Sequence, residues 1–175
     1  MYPKEYIEYL AHYHGDRDYF ECHEVLEEYW KKVDKSNKKS ILVGFILFAV
    51  SSYHHRRRNF NGAKRTLKKA IEIFNEQRTQ LVNYGLSANP FMNVLSEQLI
   101  SIQNLQDYQS LNLPIHDEEL LISCQKACLQ KGFTWTQKSD LTNEELIHRH
   151  LTRDRSEVIA DRNRALHLSK QKGRE

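Results

Sequence analysis

The chain has 175 residues, of which 28% are charged and 39% apolar, with only 6 Gly and 3 Pro. This is the composition of a helix-rich soluble protein and argues against β-sandwiches, β-barrels and disorder. A net charge of +3 does not by itself demand a polyanionic partner, and the three cysteines, Cys22, Cys124 and Cys128, fit no disulfide framework, so a reducing cytoplasm is expected.

Met1 to Glu5 lacks the charged-then-apolar plan of a signal peptide. Pro3 suits a first helical position, and Tyr6, Ile7, Leu10 and Tyr13 recur at helical spacing up to Gly15. Asp16 is placed to cap a second helix, from about residue 17 to 33, closed by the polar turn Asp34-Lys35-Ser36-Asn37. A third helix, about 38 to 58, holds the apolar run Ile41 to Val50, about half the length a membrane span needs, and ends in Arg56-Arg57-Arg58. No membrane association is expected.

After the turn Asn59-Phe60-Asn61-Gly62, a long fourth helix carries Ala63, Leu67, Ala70, Ile71, Phe74, Leu81 and Val82 on one face and stops near Gly85. Asn89-Pro90 opens a fifth, near 91 to 105, with Phe91, Leu95, Leu99 and Ile102 inward. Periodicity fails from Tyr108 to Pro114, which reads as a linker. Asp117 then caps a helix to about Lys131 with Cys124 and Cys128 on its apolar face, Phe133 and Trp135 dock this unit, Thr142 to Glu145 match a capping box, and a last helix spans about 155 to 169. The expectation is an all-α, compact helical bundle over 1–107 and a basic helical C-terminal extension over 115–175.

One stretch puts polar groups where a helix should be apolar. Wound at 3.6 residues per turn, Tyr19, Phe20, His23, Leu26, Glu27 and Trp30 fall within an arc of about 120°, while Glu21, Glu24, Glu28, Lys31 and Lys32 take the solvated side. A His and a Glu four residues apart point the same way and can share one divalent metal ion, whose identity the donor types leave open among zinc, manganese, iron and nickel. A third ligand must come from another helix. Gly44, Leu47, Ser51 and His54 form one line on the third helix, taken to face the second, so His54 is the favoured third ligand and His55 the alternative. Without an ion, the same pair reads as a buried hydrogen-bond network completed by Trp30, Tyr53 or a backbone carbonyl. Lone buried carboxylates are penalised by several kcal/mol, so retaining both residues favours use. Glu24 stands where metalloprotease helices carry a general base but lies about 100° off this seam. Cys124 and Cys128 read as packing rather than zinc ligands.

The tail, with His148, Arg149, His150, Arg153, Arg155, Arg162, Arg164, Lys170, Lys172 and Arg174, offers a phosphate-binding patch for nucleic acid or a protein partner. Interleaved acids make a solvated face the stronger reading there. The competing class is thus a non-enzymatic adaptor working through this extension, and apolar surplus on several helices permits a homo-oligomer.

Phe20-x-x-His23-Glu24-x-Leu26-Glu27-x-x-Trp30, then Gly44, then Tyr53-His54-x-Arg56-Arg57-x-Asn59-x-x-Gly62-Ala63 together resemble the bacterial and archaeal family called domain of unknown function 309, over roughly residues 17 to 75. The whole chain is similar to the longer members found in Bacillus-type bacteria. The resemblance implies an all-helical fold, no established activity, and metal ligation at His23 and Glu27, with Phe20, Trp30, Tyr53, His54 and Arg57 around them. Where that family commonly has Gly before the Asn of the turn, this chain has Arg58, a change expected to affect the turn rather than the site.

Overall fold

The computed structural model describes residues 1–152, and the expected helix at 155–169 and the basic residues from Arg153 onward lie outside them. Helix α1 (Lys4–His14) starts after Pro3, whose fixed φ of −56° is already near the helical value. α2 (Tyr19–Val33) begins two residues later than expected. Arg17 takes a left-handed φ of 59°, which no helix can include. The cap therefore passes to Asp18, whose Oδ1 accepts the Glu21 amide at 3.0 Å, while Asp16 turns back to His12 at 3.1 Å.

α3 (Ile41–Arg56) and α4 (Phe60–Glu76) make the most extensive helix pair. Their close approach is set by Gly44, where a Cβ would stand 2.9 Å from the Phe74 ring. Ser51 Oγ donates to the Ala63 carbonyl at 2.9 Å in the same seam. The line Gly44, Ser51, His54 thus faces α4 and not α2, correcting the sequence expectation: the small residues admit the Phe74 ring and the α4 backbone. α4 also ends earlier than expected. Beyond Gln77 the chain tightens into a 3₁₀ segment (Arg78–Tyr84), which seats Leu81 in the core and sets Tyr84 edge-on to Tyr6 at 5.1 Å, before Gly85 turns at φ 67°. α5 (Ala88–Gln103) buries Phe91, Leu95 and Ile102 as its spacing predicted.

The core these helices enclose is aromatic. Tyr6, Tyr9, Tyr13, Phe45, Phe48, Phe74 and Phe91 are fully buried, and the Phe74 ring meets Phe45 and Phe91 edge-on, each at 4.9 Å. The buried phenols are satisfied: Tyr9 donates to the Phe45 carbonyl at 3.1 Å and Tyr6 to that of Tyr84 at 2.9 Å.

Between α5 and α6 (Glu118–Gln130) the chain is irregular but tied down, pairing Leu86 with Ile115 in an isolated antiparallel bridge. α6 is capped by Asp117 and packs on α1, with Cys124 and Cys128 buried as free thiols. Trp135 stacks on His14 at 4.4 Å and Phe133 lies against Gly15, so both dock this unit as expected. Two short helices follow, α7 (Glu144–Ile147) and α8 (Arg149–Thr152). The capping box at Thr142 does not form. Asn143, at least as good a cap as Thr, accepts the Leu146 amide at 3.0 Å, and the Thr142 hydroxyl donates to Asp140.

Among the described residues the fold is all α, and no helix is long and apolar enough to cross a membrane.

Candidate functional site

α2 carries two adjacent stripes one residue out of phase. Tyr19, Cys22 and Leu26 are fully buried and face the core. Phe20, His23, Glu27 and Trp30 are rotated from them by about 100° and only partly buried, so the polar pair lies beside the seam and not in its middle. The more apolar set, not the motif, occupies the centre, because complete burial of two ionisable groups is the costlier arrangement.

The imidazole of His23 is held at both nitrogens. Nε2 donates to Glu27 Oε2 at 2.8 Å, one turn on, and Nδ1 pairs with Glu24 Oε1 at 3.1 Å. Glu27 Oε1 also accepts from Lys31 Nζ at 2.7 Å. Phe20 sits against the imidazole, with ring centres 5.9 Å apart. Side-chain exposure is 26% for His23, 29% for Glu24 and 31% for Glu27, so the group is reachable from solvent. Burial alone would lower the His23 pKa, but the hydrogen bonds to Glu24 and Glu27 outweigh it and raise it to about 9. The hydrogen bond from His23, aided by Lys31, holds Glu27 down at about 2 against the opposing effect of burial.

Donor atoms of His23, Glu24 and Glu27 lie within 4.8 Å of one another, so the cluster could hold a metal ion. One imidazole nitrogen serves one ion. Of the two carboxylates, Glu27 faces Nε2 and Glu24 faces Nδ1.

Glu24 was placed on the solvated side by helical phase. Its carboxylate nevertheless reaches the ring of the preceding residue, a choice of rotamer that periodicity does not encode.

His54 lines a cavity with His23 but lies outside the His23–Glu24–Glu27 cluster. Its Nδ1 accepts from Asn59 Nδ2 at 3.1 Å and its ring abuts Gly62, so it belongs to the α3–α4 turn. It shares with Tyr19, Phe20, His23, Val50 and Tyr53 a second, smaller cavity of about 200 Å³. His55 points to the opposite side, bonding the Gln106 carbonyl at 2.9 Å. Arg57 lies over the Tyr53 ring at 5.3 Å, and its Nε donates to His148 Nδ1 at 3.2 Å. Tyr53 in turn pairs with His150. Trp30 closes the α2–α3 turn by donating to the Asn37 carbonyl at 3.1 Å.

The basic residues Arg56 and Arg149 serve the interior. Arg56 donates to the Arg17 carbonyl at 2.7 Å and covers the Tyr19 ring at 4.8 Å, and Arg149 pairs with the fully buried Asp18.

On its open side the His23–Glu27 pair faces a groove of about 580 Å³ between α2, α3 and α4. Its floor is Val43, Ile46, Leu47 and Ile73, and its rim carries Lys38, Lys39, Lys69, Glu72 and Glu76.

The molecule is thus an all-α bundle whose second helix offers a His-x3-Glu pair beside such a groove, with α7 and α8 held against the start of α2 and the end of α3. Residues 6–66 match the family described as domain of unknown function (DUF309). The chain belongs to that family: it is 42% identical over 170 residues to the uncharacterized protein YpuF of Bacillus subtilis strain 168, covering 97% of this chain and 98% of that protein. No solved structure matches the chain.

Proposed function

We propose that the α2–α3–α4 groove is a binding site whose polar end, His23 Nε2 and Glu27, holds one divalent metal ion, with Glu24 orienting the imidazole. The observation that carries this is the approach of Glu27 Oε2 to His23 Nε2 at 2.8 Å on an accessible helix face, with Glu24 on the other ring nitrogen. The donor set fits: a neutral imidazole and a carboxylate are ligands for zinc, manganese, iron or nickel, and the carboxylate on the far nitrogen is the usual outer partner of a ligating His. Glu27 and His23 would hold the ion, and an ion there would supply Lewis acidity at one end of an apolar groove. The remaining positions would be left to groove ligands or solvent.

A second reading has its own support. With a carboxylate on each nitrogen and Lys31 on Glu27, the protonated His23 is fully satisfied without an ion, as a structural charge network in an adaptor would be.

Metal content by mass spectrometry, on untagged protein purified without chelator, separates the two. The metal reading expects about one ion per chain, lost in Glu27→Gln with helicity unchanged. Metal-free protein after dialysis against zinc, manganese and iron would leave His23 and Glu27 as a charge network.

A further inference from the structure

The groove beyond the His23–Glu27 pair is far larger than an ion requires. Its volume of about 580 Å³ falls within the range of small-molecule pockets, roughly 300–1,000 Å³. Two of its floor residues, Val43 and Leu47, stay partly exposed on a helix otherwise almost wholly buried, and Ile46 and Ile73 complete an apolar strip between α3 and α4. Trp30 flanks this strip. An apolar floor calls for an apolar occupant.

The rim adds a sign. Lys38 and Lys39 stand in the α2–α3 turn and Lys69 lies on α4 with Glu72 and Glu76, three cations to two carboxylates. Lys39 is committed to Glu76, its Nζ 3.0 Å from each carboxylate oxygen. Among the described residues neither Lys38 nor Lys69 makes an ion pair with protein. At the polar end Glu24 and Glu27 are already balanced by His23 and Lys31. One positive charge is left over, on the rim and not at the motif.

We propose that this groove binds an amphipathic organic acid, its carboxylate at the rim lysines that make no ion pair, Lys38 and Lys69, and its apolar body along Val43, Ile46, Leu47 and Ile73. The inference rests on the groove being a ligand site, as above, but not on an ion being present in it.

The test is calorimetric titration of the full-length protein with sodium octanoate and with 1-octanol, each alone. Trp30 emission reports where the probe lands, since Trp135 is stacked on His14 away from the groove. Octanoate is expected to saturate one site and to bind more tightly than octanol. The double substitution Lys38→Ala, Lys69→Ala is expected to weaken octanoate by about five- to tenfold, the worth of two solvent-facing ion contacts, and to leave octanol unchanged. Leu47→Glu, at a partly exposed position, should abolish both, with the circular dichroism spectrum unchanged. Protein stripped of metal by a chelator should bind octanoate as before, so the loss of one reading is distinguishable from the loss of the other. Absence of saturable octanoate binding, equal affinity for octanol, or an unaltered octanoate affinity in the lysine variant would each overturn the proposal.

Discussion

His23 and its two carboxylates behave as one electrostatic object, and its pH dependence can be worked out by sign. The folded pKa of His23 is raised, from 6.5 to about 9, so its stabilising contribution is full below pH 6.5 and is lost as pH climbs through about 9. Glu27 is lowered from 4.5 to about 2, so its contribution is present above pH 4.5 and lost as pH falls through about 2. The pair therefore stabilises the fold most between about 4.5 and 6.5. Melting temperature measured against pH should fall on the alkaline side of this window, and His23→Gln should flatten that limb. The same proton must leave before Nε2 can accept an ion, so zinc affinity should rise between pH 6 and pH 8, by about tenfold per unit if one proton is released. Competition titration with a chromophoric chelator at the two pH values measures this; a pH-independent affinity would show that Nε2 is not a ligand. Glu24→Gln should retain the ion but bind it about 10- to 100-fold more weakly, because only ring orientation and basicity are lost.

The α3–α4 pair shows what helical elements reveal in sequence and what they hide. At Gly44 a Cβ would meet the buried Phe74 ring at 2.9 Å, so Gly44→Ala should destabilise by about 1–3 kcal/mol despite its better helix propensity. Adding Phe74→Leu should recover part of that loss in chemical denaturation, a non-additivity diagnostic of direct contact. The turn that follows carries Arg58 at a left-handed φ of 58°, where the family resemblance places Gly. The backbone of this turn is therefore the Gly-compatible one, kept despite the side chain. Arg58→Gly should raise stability by up to about 1 kcal/mol, reduced by loss of the exposed ion pair with Asp107. Periodicity located the first six helices and the inward faces of α5 and of α4 as far as Phe74, because their apolar residues repeat at 3.6 and their ends carry Pro, Gly, Asp and Asn, but Val82, expected on that face, is exposed beyond the end of α4. It also singled out His23 and Glu27. It did not tell which neighbour a small-residue line faces, since Gly44 permits approach from any helix. Nor did it show that His54 bonds Asn59, a contact made in the α3–α4 turn. The groove lysines were invisible as well: Lys38 lies in a turn and Lys69 on another helix, and only the tertiary fold brings them to one rim.

Across the whole molecule the α1–α2 corner is a point of convergence. Arg17 is 1% exposed, and its guanidinium donates to the Gln137 carbonyl and to Asn112 Oδ1, each at 2.7 Å, and to the Leu111 carbonyl. His14, which burial keeps neutral with a pKa lowered to about 3, accepts the Leu113 amide at 2.9 Å beside it. Arg17→Met should cost about 3 kcal/mol or more by leaving buried carbonyls unmet, and should speed hydrogen exchange at Leu113 before it affects the α3–α4 core. Uniformly faster exchange would mean that the corner is not a separate unit. Arg17 carries its charge and left-handed backbone from early in the chain, yet its acceptors lie 94 to 120 residues further on. A chain that stops short of Gln137 therefore lacks one of the groups that complete this corner, however well its amino-terminal helices form.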